Sequence, residues 1–172
     1  MENNDKENSL KKYFNPQEYI THLVGVDKSE EETISDEKEV ILLTSLLTDP
    51  KHKDAREETL LLLKKEKKEE FLLMAIANQK DKKLLPALVA ACWESEINMS
   101  KYLPFFILLA LDNDFYVSLE AMTVISEMKG PFNLTQVKQA IQKIKEEKQK
   151  LNNEKTVLLN DLLDALNGFV EK

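Results

Sequence analysis

Glycine is scarce in this chain of 172 residues, with only Gly25, Gly130 and Gly168. Left-handed turns, tight β-hairpins and phosphate-cradling loops all draw on glycine, so the first two should be few and the last is not expected. Arginine is scarcer still. Arg56 is the only one, and planar bidentate recognition of phosphate or carboxylate is therefore nearly absent. Cys92 stands alone, which excludes an intrachain disulfide and suits a reducing compartment. His22 and His52 are the only histidines, with no second His or Cys at metal-ligand spacing, so no metal site is expected. The polar start, Met1-Glu2-Asn3-Asn4-Asp5-Lys6-Glu7-Asn8, has no apolar core and does not read as a secretory signal. Apolar runs such as Leu103 to Leu111 fall far short of the roughly 20 residues of a membrane span. The expected location is cytoplasmic.

The rest of the composition is rich in leucine, lysine, glutamate and alanine, the good helix formers, so the fold class is all-α. Apolar residues make up 42% of the chain, enough for a real core in one domain over 16–172, behind a polar tail over 1–15. Acidic residues outnumber basic ones, 31 to 24, for a net charge of −7. Nucleic-acid binding rests on phosphate neutralisation, so this balance argues against it.

Pro16 opens a short segment with Tyr19, Ile20, Leu23 and Val24 at helical spacing. Residues 27–34 read as a solvated linker, with Ser35 as the N-cap of the first long helix. From there the chain repeats a pattern. An apolar helix at 39–49, 70–79 and 104–114 ends each time in a polar turn. A second amphipathic helix comes after each turn, at about 54–66, 84–95 and 115–128. The offsets from Val40 to Phe71 and from Phe71 to Phe105 are 31 and 34 residues, the period of stacked helical hairpins. Beyond Gly130-Pro131, Asn133 or Thr135 can cap a polar helix. A leucine-rich last helix carries Leu158, Leu159, Leu162, Leu163, Leu166 and Phe169, with Gly168 as its stop.

The third unit resembles a HEAT repeat. Leu103-Pro104 matches the opening of that family's pattern, Asp112-Asn113-Asp114 its polar turn, and Val117 with Ala121 the Val and Ala four apart on the second helix. The first unit departs from it, with Ala55 in place of that Val, and the second carries Pro86 early in its second helix. The resemblance covers about 36–128. It implies a short right-handed α-solenoid of about three helical hairpins (36–66, 68–96 and 100–128) with N- and C-terminal capping helices, the last a hairpin over about 133–170. In HEAT-like stacks the second helices line the concave surface. The resemblance therefore places Arg56, Glu57, Lys64, Trp93, Glu94, Thr123 and Glu127 on the face that meets a partner.

Other residues that could carry chemistry have plainer readings. Cys92 lies among alanines and reads as a small core residue. Asp112-Asn113-Asp114 lacks the glycine and closing glutamate of a calcium loop and reads as a capped turn. Adjacent carboxylates such as Glu57-Glu58 and Glu69-Glu70 point apart on a helix. No catalytic constellation assembles, and no cofactor is implied. The expected function is a non-catalytic scaffold or adaptor that binds a protein helix or peptide on its concave face. The alternative is an enzyme or enzyme subunit on an α-solenoid, lyase- or glycosylase-like, with a concave pocket in which Glu94 or Glu127 stands beside Trp93. Nucleic acid and membrane are not expected partners, and the leucine-rich last helix leaves self-association open.

Overall fold

The computed structural model describes residues 30–150 and 154–170. Among these the chain is all-α: eight α-helices, two short 3₁₀ turns and no strand. No helix among the described residues is long and apolar enough to cross a membrane. The expected segment at 16–24, the polar tail and His22 lie outside the described residues. The chain divides into two compact units, Met1–Ser95 and Glu96–Lys172.

The first unit holds α1 (Glu30–Thr48), α2 (Lys53–Glu66), α3 (Glu69–Asn78) and α4 (Leu85–Glu94). Helix α1 begins ahead of the start that Ser35 signals: Ser35 lies inside it rather than at its cap, and Glu30–Glu32 form its first turn. Glutamate is a good helix former and its charge suits the positive end of a helix dipole, so the acidic run extends the helix instead of linking to it. Val40, Leu43 and Leu47, three and four apart, make its buried stripe. Helix α1 packs on α2, α3 and α4, and α3 packs on α4. Leu72, Leu73, Ala75 and Ile76 of α3, and Leu88, Val89, Ala91 and Cys92 of α4, supply most of the core. Pro86 sits in the first turn of α4, where its missing N–H costs least.

Two left-handed turns are made without glycine. Lys67 and Glu96 both adopt φ 55°. Lys67 directly succeeds α2, and the Lys68 amide reaches back to the Leu63 carbonyl at 3.1 Å, closing the helix end.

The second unit holds α5 (Leu103–Asp112), α6 (Phe115–Ser126), α7 (Leu134–Lys148) and α8 (Lys155–Val170). Helix α5 packs on α6 and α7, and α8 on α6 and α7. The final helix pair thus packs on the α5–α6 pair within this unit. Phe105 and Phe106 are fully buried, edge to face at 5.3 Å. Asp114 caps α6 by accepting from the Val117 amide at 3.1 Å. Asn133 caps α7 by accepting from the Thr135 and Gln136 amides. Val117 and Ala121, four apart on α6, are buried. Gly168 does not end α8, which continues to Val170; Phe169 is buried and stacks on Phe132 at 4.0 Å, holding that last turn.

Candidate functional site

The residues named from the sequence fall into two groups, one in each unit. Arg56 and Glu57 stand early on α2 and Lys64 near its end, while Trp93 and Glu94 close α4. Thr123 and Glu127 lie at the end of α6, where the Glu127 amide donates to the Thr123 carbonyl at 3.1 Å. The Thr123 hydroxyl is engaged within its own helix, donating to the Leu119 carbonyl at 3.0 Å.

Arg56 and Glu94 come together, and they face inward. Arg56 Nη2 forms an ion pair with the Glu94 carboxylate and also donates to the Ala87 carbonyl at 3.4 Å. Its Nη1 donates to the Leu47 carbonyl at 2.6 Å. Both side chains are largely covered. The guanidinium therefore fastens α2 to α1 and α4 through these contacts within the fold. Trp93, beside Glu94, keeps 36% of its surface exposed.

Glu57 and Lys64 remain exposed. They flank Leu61, one turn after Glu57 and nearly one turn before Lys64. Leu61 and Leu62 are 69% and 52% exposed, and on α1 Ile41 and Leu42 are 70% and 60% exposed. The sequence carries a signal for these four. With Val40, Leu43 and Leu47 as the inward stripe of α1, Ile41 and Leu42 must turn outward on either flank. Reading 40–47 as one continuous apolar helix hides that phase.

A groove of about 620 Å³ runs along the same helix. Val40, Ile41 and Thr44 of α1 form one wall, Ala75 and Ala77 of α3 form the other, and Glu37 and Lys80 bring one charge of each sign. The Thr44 hydroxyl donates to the Val40 carbonyl and so adds little polarity to the wall. A groove of this kind offers apolar contact and shape, with charge at its margins.

Elsewhere the titratable groups serve the fold. Burial pushes the Cys92 thiol far above its ordinary range, and its Sγ lies 3.8 Å from the Leu88 carbonyl. Lys155 donates to the Leu111 and Asn113 carbonyls at 2.6 and 2.7 Å, closing the C-terminal end of α5. Desolvation lowers its pKa, against the pull of Asp112 and Asp114. Among the described residues no group of three or more His, Cys, Asp or Glu side chains is placed to hold a metal ion. No protein-family model, curated protein or solved structure matches the chain.

Proposed function

We propose that this chain is a non-catalytic protein-binding module, an adaptor of HEAT-like helical hairpins that receives a helix or peptide from a protein partner. The observation that carries this reading is the exposure of Ile41, Leu42, Leu61 and Leu62 on the first hairpin, with a groove beside α1. Large apolar side chains exposed on two helices that pack together are costly to leave in water, and such surfaces can mark interaction sites. Glu57 and Lys64 around Leu61 would set orientation and discriminate among partners, while the leucines supply contact area. The helix pairs α1–α2, α3–α4 and α5–α6 support the HEAT-like reading, as do the buried Val117 and Ala121. A reducing, cytoplasmic setting belongs to the same proposal and rests on the single buried thiol of Cys92.

The test is affinity capture of the full chain from its native cell, in parallel with a Leu61→Asp/Leu62→Asp variant. Both positions are exposed, so the variant should keep its helical circular dichroism. One protein enriched by the wild type and lost with the folded variant is the expected result. Recovery of the same proteins by both forms would remove the first hairpin from the binding role.

A further inference from the structure

Helix α2 is attached differently from its neighbours. Of its described side chains only Leu63 is fully buried, whereas α3 buries four and α4 buries six. Apolar burial is the main term holding an element to a domain, so α2 has the least to lose on leaving. Polar ties stand in its place. Arg56 reaches three acceptors on two other helices: the Leu47 carbonyl, the Ala87 carbonyl and the Glu94 carboxylate. The Leu47 carbonyl belongs to the last turn of α1, where carbonyls have no intrahelical donor and a cation is favoured by the helix dipole. At the other end of α2, Lys68 pairs with Glu39 of α1 at 2.7 Å and with Glu66 of α2 at 3.1 Å. That second tie is well exposed, and pairs of this kind hold weakly.

We propose that α2 is a displaceable helix pinned by Arg56. It detaches and unwinds as one cooperative segment while α1, α3 and α4 stay folded, and its departure uncovers the face of α1 on which it packs. The guanidinium is the fastening because it bridges α2 to both α1 and α4 through a rigid fork of donors, a geometry that lysine cannot reproduce.

Hydrogen exchange of the full chain, read by mass spectrometry, tests this without any partner, so its outcome is separate from that of the adaptor reading. In the wild type, α2 amides should exchange about ten-fold or more faster than those of α3 and α4. Arg56→Ala should speed α2 by a further ten-fold or so while α3 and α4 change by less than about three-fold. Arg56→Lys should fall between the two. Equal protection of α2 and α4 in the wild type would overturn the proposal. So would an Arg56→Ala variant in which all four helices exchange faster together, including one whose first unit fails to fold, because Arg56 would then hold the whole unit.

Discussion

The second unit buries Tyr102, Phe105 and Phe106 almost completely, whereas the aromatic at the end of α4, Trp93, stays 36% exposed. Helix starts differ in the same direction. Asp114 and Asn133 cap α6 and α7 with side-chain oxygens, while α3 and α4, like α5, begin with no side-chain cap bond. Two units of four described helices each are thus finished to different standards. The second packs three aromatic rings inside yet leaves Tyr116 and Val157 outside; the first leaves Ile41, Leu42, Leu61 and Leu62 outside and fastens α2 with a guanidinium. Both units leave apolar side chains at the surface, so what separates them is how their helices are capped and fastened.

Removing a ring from the second interior should have the largest effect. Phe105→Ala is expected to destabilise that unit by about 3–5 kcal/mol, and Leu63→Ala on α2 by about 2 kcal/mol, at the low end for a buried leucine. Urea unfolding monitored by circular dichroism measures both. A Phe105→Ala loss no larger than that of Leu63→Ala would erase the contrast. A smaller effect of opposite sign is expected at Gly168. It sits within α8, and an added Cβ would meet nothing within 4 Å. Gly168→Ala should therefore stabilise the second unit by about 0.5–1 kcal/mol, seen as a higher midpoint in the same experiment.

The smallest effect is a difference in how the units respond to alkali. Hydrogen bonds that Lys68 donates to Glu39 and then Glu66 raise its pKa above its ordinary 10.5. Above that value the folded chain keeps a proton that the unfolded chain has lost, so this contribution, complete at neutral pH, declines as pH climbs. Lys143 and Lys155 are shifted the other way, chiefly by desolvation. Just below 10.5 the unfolded state binds more protons at these sites, so the second unit gains stability as pH rises through that window. Trp93, the only tryptophan, reports on the first unit. Its urea midpoint, compared between wild type and Lys68→Gln, should show the two converging from about pH 9 to about pH 11. A constant gap would leave the ion pair with no part in the alkaline response.

Much of the fold is legible in the sequence because it depends on local chemistry. The helices, the Asp112-Asn113-Asp114 turn, the Asn133 cap and the burial of Cys92 all come from propensity and spacing. Ser35 and Gly168 mislead for one shared reason. Each is a good end signal taken alone, and each is overridden by its neighbours, Glu30–Glu32 in the first case and the buried Phe169 in the second. The partnership of Arg56 with Glu94 is not legible at all. They are 38 positions apart, and only packing of α2 and α4 against α1 brings them into contact. Ser118 is similar: it is fully buried because its hydroxyl finds the Ala110 carbonyl at 2.8 Å across the α5–α6 turn.

Lys67 and Glu96 hold side chains in backbone geometry that usually falls to glycine. An L-residue there carries roughly 1–2 kcal/mol of steric strain. It also has fewer conformations to surrender when the chain folds, so part of that strain is recovered in entropy. Substituting glycine would relax the turn and loosen the unfolded chain together, and the two changes oppose each other. A low glycine count is therefore no measure of how many left-handed turns a helical protein contains; here it marks where rigidity of the unfolded chain has been kept at the expense of ease in the folded one.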